Sequence, residues 1–144
     1  MPTKQNREVV RRFFDEIWSQ GDMEAAQEIV APDYQSGDSA VRFHGINNPG
    51  FQIPVGPQAL ALERELYLAN VSDLHFDIQE MITAKDRVIT VWSASGVSRS
   101  DTFTDRGGNL RKKKLNGTGI SISSIVDGKI KSNTMYWSRE QSLV

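Results

Sequence analysis

Two histidines are the side chains of this chain best suited to move protons near neutral pH. His44 follows a stretch rich in glycine and serine and precedes a proline-rich one, which together predict a long loop. There it is a candidate acid or base, or an ordinary surface histidine. His75 lies beside Phe76 on the polar side of a predicted strand, so we expect it to face solvent. The chain contains no cysteine, which excludes disulfides, thiolate zinc sites and cysteine nucleophiles.

Length and charge exclude several other classes of function. The chain has 144 residues and a net charge of −1, which predicts a single domain over 1–144 with no nucleic-acid or membrane partner. The basic run Arg111–Lys114 is expected to be the solvated face of an edge strand. No apolar run reaches membrane-spanning length, and the polar start lacks a signal-peptide core. With no cysteine present, we expect a cytoplasmic protein.

Helical signals occupy the N-terminal half. Residues 5–19 show the clearest helical period, Gly21 and Asp22 interrupt it, and a second helix is predicted over about 23–30. A third begins at Pro57 and runs to about 70, with its leucines inward. Residues 33–57 are irregular, with a possible short strand near 40–44. The loop from 45 to 57 holds three prolines and is either a binding loop or a plain connector.

Strand signals occupy the C-terminal half. The period changes to two from residue 74, which predicts strands at about 74–83, 88–98, 112–126 and 129–138. Lys85-Asp86 and Asp127-Gly128 are turn signals, and 99–110 is predicted to be a wide hairpin connection. Helices followed by hairpin-linked strands predict an α+β fold, with three helices packed on one face of an antiparallel sheet. Strands this long should curl, so the sheet is expected to enclose one pocket.

Three segments resemble a known family. The stretch from Val10 (VRRFFDEIWSQGD), the one from Ile29 (IVAPDY) and the one from Gly119 (GISISSIVDGKI) are similar to the SnoaL-like polyketide cyclases. These share a cone-shaped fold with nuclear transport factor 2 and ketosteroid isomerase. The resemblance implies a homodimer that acts, without cofactor or metal, on a small, largely apolar, carbonyl-bearing metabolite. The reaction would be cyclisation, isomerisation or dehydration.

The sequence departs from this family where its acid–base residues are expected. The family typically carries an aspartate on the last strand and a histidine on the strand before it. Matching the last strand places Ser138 at the aspartate, and the strand before offers Ser121, Ser123 and Ser124. A non-catalytic binding or assembly domain is therefore an open alternative. An ionisable group deep in the pocket would favour catalysis.

The resemblance also implies which residues form the site. Tyr136 shares strand parity with Ser138, Tyr34 lies where the family chain enters the cone, and Asp38 lies near positions that are often polar. The expected catalytic residues are Tyr136, His44, Tyr34 and Asp38. The expected substrate-binding residues are Trp92, Thr134, Ser138, Phe14, Trp18 and Phe51.

Overall fold

A computed structural model describes residues 2–37, 39–138 and 142–143, without the side chains of a few of them, among them His44. The helices are α1 (Pro2–Arg12), which continues as a π-helical segment (Phe13–Ser19), α2 (Ala26–Ile29), α3 (Ser39–Asn47) and α4 (Pro57–Leu68). The strands are β1 (Val30–Ser36), β2 (Val71–Ala84), β3 (Arg87–Thr104), β4 (Leu110–Val126), β5 (Lys129–Trp137) and β6 (Ser142–Leu143).

The π-helical segment follows α1 without a break and presents four large side chains to the sheet. Its wider turn brings two adjacent pairs, Phe13 with Phe14 and Ile17 with Trp18, to the buried side. All four side chains are fully buried. Gly21 ends the segment in a left-handed conformation (φ 76°) that favours glycine, and its N–H donates to the carbonyl of Ile17.

The strands form one sheet in the order β1-β5-β4-β3-β2, with β6 paired to part of β4. Strands β2 to β5 are antiparallel, and β1 lies parallel to β5. Register shifts interrupt the β2–β3 pairing at two places, and such bulges bend a sheet. The α+β class and the curved sheet covered by N-terminal helices are therefore confirmed.

Some predicted elements differ from the observed ones. Residues 30–36 form strand β1 instead of a helix end and an irregular segment, and the possible strand at 40–44 is helix α3. β1 forms by parallel pairing with β5. Because this contact joins residues far apart in the sequence, it leaves no local periodic signal. β3 and β4 extend to Thr104 and from Leu110, so the connection between them is shorter than predicted.

A bulge near the start of β5 decides which of its side chains face the helices. Ile125 pairs with Ile130, but Ser124 pairs with Ser132, so Lys131 is an extra residue on β5. Because side chains alternate along a strand, this insertion transfers the inner face from even to odd positions. The buried residues of β5 are accordingly Ile130, Asn133 and Met135.

Candidate functional site

A buried tyrosine–glutamate pair lies between β1 and α4. Tyr34 Oη donates a hydrogen bond to Glu63 Oε2 at 3.1 Å. Tyr34 is fully buried and Glu63 is 1% exposed. Acidic side chains are almost never buried this completely unless they are paired, because desolvation penalises the charged form. The pair is thus a deeply placed ionisable group with a hydroxyl donor on one of its oxygens.

Gly56 joins the two elements that carry this pair. Its N–H donates to the carbonyl of Tyr34 at 2.8 Å, and it precedes Pro57, the first residue of α4. Gly56 has φ 75°, and a β-carbon there would lie 2.5 Å from the carbonyl oxygen of Pro32. A residue with a side chain would therefore push α4 away from β1 and separate Tyr34 from Glu63.

Two predicted catalytic residues, Asp38 and His44, lie between Tyr34 and Glu63 in the sequence, but the positions of their side chains are not described. The side chain of His44 is outside the described residues, and so is Asp38. The backbone of His44 belongs to α3, which packs against α4, the helix that carries Glu63.

Four polar side chains cross the inner face of the sheet and are fully buried. Thr90 on β3 is opposite Ser121 on β4, Ser123 is two residues further along β4, and Ser123 is opposite Asn133 on β5. We call these four residues the polar track. Trp92 Nε1 donates to Ser121 Oγ at 2.8 Å, and Ser123 Oγ donates to Asn133 Oδ1 at 2.8 Å.

Two atoms of the polar track have no hydrogen-bond partner among the described residues. They are Thr90 Oγ1 and Asn133 Nδ2. A buried polar group left without a partner costs about 1–3 kcal/mol. Two such groups on one face are a substantial fraction of a typical stability of about 5–15 kcal/mol, so they require an explanation.

Five aromatic side chains form a second group in the interior, which the hydrogen bond from Trp92 to Ser121 joins to the polar track. We call Phe14, Trp18, Phe76, Trp92 and Trp137 the aromatic cluster. Phe76 lies at its centre, with ring centroids 5.0–6.1 Å from the other four. Tyr67 stacks against its edge and accepts a hydrogen bond from Trp137 Nε1 at 2.9 Å.

Gly119 allows Trp92 to lie flat across β4. A β-carbon at Gly119 would be 2.7 Å from the Trp92 ring and 2.4 Å from the carbonyl oxygen of Tyr136. The indole therefore crosses the strand where there is no side chain, and its Nε1 reaches Ser121 on the same strand.

The structure separates the predicted site residues. Tyr34, Phe14, Trp18 and Trp92 lie in the interior, as expected. The expectation that Tyr136 and Thr134 face the interior is wrong, because the bulge at Lys131 turns even positions of β5 outward. Tyr136 is 54% exposed, and Thr134 is opposite Ile122 on the outer face.

The remaining two predicted binding residues lie in segments outside the helices and strands. Ser138 follows the end of β5, is half-buried, and donates its N–H to the carbonyl of Thr118. Phe51 lies in the loop after α3 and is 39% exposed. Three surface hollows formed by described residues also lie elsewhere, lined chiefly by polar side chains such as Asp77, Asn116 and Lys129.

Sequence reasoning missed Glu63, although its spacing carries a signal. The buried residues of α4 are Ala59, Leu60 and Glu63, which stand at helical spacings of three and four. An acidic residue inside an apolar stripe predicts a buried carboxylate, which needs a partner. The same test applied to β5 would have identified Asn133 once the bulge was known.

Surface charges near the helices stabilise the scaffold around the site. Arg12 contacts Glu16 at 2.6 Å and Glu28 at 3.0 Å, and the hydrogen bond from Arg12 holds the pKa of Glu16 below its usual range. Arg64 on α4 donates to the carbonyl of Trp18 at 3.4 Å, and burial lowers the pKa of Arg64. The second contact ties α4 to the end of the π-helical segment.

A family model decides the classification. The model described as SnoaL-like polyketide cyclase matches residues 8–141. The chain belongs to this family. No curated protein sequence matches the chain.

Solved structures of this family's fold align over nearly the whole length. IdmH of Streptomyces antibioticus, assigned as a polyketide cyclase, has a TM-score of 0.72 at 19% identity, covering 93% of this chain and 92% of its own. A SnoaL-like protein of Jannaschia sp. CCS1 has a TM-score of 0.68 at 16% identity, covering 94% and 87%. AclR of Streptomyces galilaeus, assigned as a hydroxylase, has a TM-score of 0.66 at 13% identity, covering 96% and 92%. At these identities the likeness establishes the fold alone.

The buried polar side chains of β4 and β5 are hydroxyls and an amide. Within the described part of β4 and β5, the inner face carries Ser121, Ser123 and Asn133, and neither a carboxylate nor an imidazole. Among the described residues, no cluster of three or more histidine or acidic side chains is placed to hold a metal ion. None of the described helices is both long and apolar enough to span a membrane.

Proposed function

We propose that this protein is a cofactor-independent enzyme that moves protons on a small, largely apolar, carbonyl-bearing metabolite, with Glu63 as the base. The single observation that carries the proposal is the burial of Glu63 against Tyr34. A general base needs a position that excludes water and a fixed geometry, and this pair has both.

The proposed chemistry begins with removal of a proton from the carbon next to the carbonyl. Glu63 takes the proton, and the electron pair of the broken C–H bond moves onto the carbonyl oxygen to form an enolate. Returning the proton to another carbon gives isomerisation, loss of a β-hydroxyl as water gives dehydration, and attack on a second carbonyl gives cyclisation. Tyr34 positions the carboxyl group by its bond to Oε2.

His44 and Asp38 remain proposed contributors to this site. Support for His44 comes from the packing of α3, the helix that contains its backbone, on α4, the helix that carries Glu63. An imidazole there would return the proton to the intermediate. Because Asp38 directly precedes α3, it is proposed for the same end of the site.

The test measures enolisation directly with 2-acetylnaphthalene as probe. Exchange of its methyl protons in D2O is followed by NMR, after titration has shown that the ketone binds. The wild type is expected to accelerate exchange above buffer, and Glu63→Gln to lower the enzymatic rate about 10²–10⁴-fold. Glu65→Gln, an exposed carboxylate on the same helix, is the matched control and should leave the rate unchanged.

A non-catalytic ligand-binding protein is the second candidate. The observation that favours it is the replacement of ionisable groups by serine and asparagine on the inner face of β4 and β5. Binding of the ketone by the wild type with exchange at the buffer rate would support this candidate and contradict the enzyme.

We also propose that the protein is a homodimer that pairs through the outer sheet face. Support comes from exposed apolar side chains on that face: Ile120 on β4 is directly opposite Tyr136 on β5, and Ile82 lies on β2. Light scattering should give the mass of a dimer for the wild type and of a monomer for Ile120→Glu.

The small net charge and the absence of cysteine support a cytoplasmic location without nucleic-acid or membrane partners.

A further inference from the structure

One unpartnered atom of the polar track, Asn133 Nδ2, lies on the strand next to the one that carries Tyr34. Ser36 on β1 pairs with Asn133 on β5, and Tyr34 precedes Ser36 by two residues, on the same side of the strand. Asn133 and Tyr34 therefore occupy neighbouring positions in one layer of the interior. A ligand held against Tyr34 and Glu63 would bring its other groups to the inner face of β5.

The hydrogen bonds of Asn133 determine what kind of atom it can take. Its Oδ1 already accepts from Ser123 Oγ, which leaves Nδ2 as the unpartnered group. An amide N–H is a donor only, so its partner must be an acceptor such as a carbonyl oxygen. Thr90 Oγ1, at the other end of the polar track, can donate to a second oxygen of the same ligand.

We propose that the polar track is an oxygen-binding subsite, in which Asn133 Nδ2 donates to the carbonyl oxygen of the ligand and Thr90 binds a second oxygen. The ligand class is a flat, mostly apolar ketone with two oxygens on one edge. This subsite rests on the proposed function for its carbonyl ligand, but it concerns binding and not the transfer of the proton.

The ligand reaches this subsite only when a neighbouring element moves, because Thr90 and Asn133 are fully buried. Binding should consequently be slower than diffusion, with a rate that levels off at high ligand concentration.

The test compares two ligands that differ in one atom. 2-Acetylnaphthalene has a carbonyl oxygen where 2-isopropenylnaphthalene has a methylene group, and the two have nearly the same shape. The wild type is expected to bind the ketone about tenfold more tightly, the effect of one hydrogen bond. Asn133→Leu should reduce this ratio to near one, and Asn116→Leu, an exposed asparagine on β4, should leave it unchanged.

A measurement on the wild type keeps the proposal falsifiable should Asn133→Leu not fold. The side-chain amide protons of Asn133 should shift in NMR spectra when the ketone is added and not when the alkene is added. Equal affinity for the two ligands, or a bound ketone that leaves this signal unmoved, would overturn the subsite and leave a buried water as the partner.

A dioxygenated probe tests the role of Thr90. 1-(7-Hydroxynaphthalen-2-yl)ethanone, whose two oxygens stand at opposite ends of one edge, should bind more tightly than 2-acetylnaphthalene to the wild type, and this gain should disappear in Thr90→Val. Retention of the gain would contradict the Thr90 contact. If the wild type binds the ketone more tightly than the alkene but does not accelerate proton exchange, the proposed function alone is refuted. If it accelerates exchange but binds the two ligands equally, the subsite alone is refuted.

Discussion

The interior of this protein has two regions built on opposite principles. The aromatic cluster buries large rings that contact one another on every side, with Phe76 in the middle. The polar region holds Glu63, Tyr34 and the polar track, where buried groups depend on a few directed hydrogen bonds. Rings stabilise a fold wherever they pack, whereas buried polar groups stabilise it only when each has a partner. Stability should therefore come from the first region and ligand chemistry from the second.

Removing the central ring should have the largest effect on stability. Phe76→Ala leaves a cavity between four other aromatic rings and is expected to cost about 3–5 kcal/mol in the free energy of unfolding. Urea denaturation followed by circular dichroism measures this loss. Phe103→Ala, which truncates an exposed ring on β3, should change stability by no more than about 0.5 kcal/mol. Equal losses would contradict the assignment of stability to the aromatic cluster.

Tyr34→Phe tests the polar region by removing one hydroxyl. The variant removes the hydrogen bond to Glu63 Oε2 and is expected to cost about 1–3 kcal/mol. Tyr136→Phe makes the same chemical change on the outer face, at a half-exposed side chain, and should be nearly neutral. A similar cost for both would show that the buried pair contributes no specific interaction.

Thr90→Val should have the opposite sign. Valine has nearly the shape of threonine and removes a buried hydroxyl without a partner among the described residues, so the variant is expected to gain about 1 kcal/mol. Thermal and urea unfolding without ligand give the comparison. A loss of stability would indicate that the hydroxyl is satisfied in solution, and the difference between the two regions would then be smaller than stated.

The smallest effect is a pH dependence at the surface. Because Arg12 lowers the pKa of Glu16, their pair stabilises the fold above the ordinary value of 4.5, and this contribution disappears as pH falls through the lower folded value. At pH 7, Glu16→Gln should therefore be less stable than the wild type by about 0.3–0.5 kcal/mol. The difference should fade below pH 4.5, and a constant difference would contradict the linkage.

The sequence predicts the aromatic region far better than the polar one. The apolar residues of the first helix, such as Phe14 and Trp18, repeat at helical spacing, and the long strands alternate, so a local pattern reveals their buried faces. The segment 30–47 is less predictable, because β1 depends on a partner about 100 residues away. Pairing at that distance leaves no local periodicity.

The polar region was hidden by two features that composition does not reveal. Glu63 looks like a surface residue until its place in the buried stripe of α4 is considered, and one inserted residue at Lys131 reverses the parity of β5. The even positions Thr134 and Tyr136 would follow from Ile130 in a regular strand. The insertion gives Asn133 and Met135 those places instead.

The bulge at Lys131 also decides which side chains β5 offers to a ligand. Deleting Lys131 would make the strand regular and keep Asn133 and Met135 on the inner face, because both would then follow the start of the strand by simple alternation. Displacing the bulge beyond Tyr136, with every residue kept, would instead turn Thr134 and Tyr136 inward and exchange an amide and a thioether for a hydroxyl and a phenol. The lining of the interior can thus change through the backbone of one strand as readily as through substitutions along it.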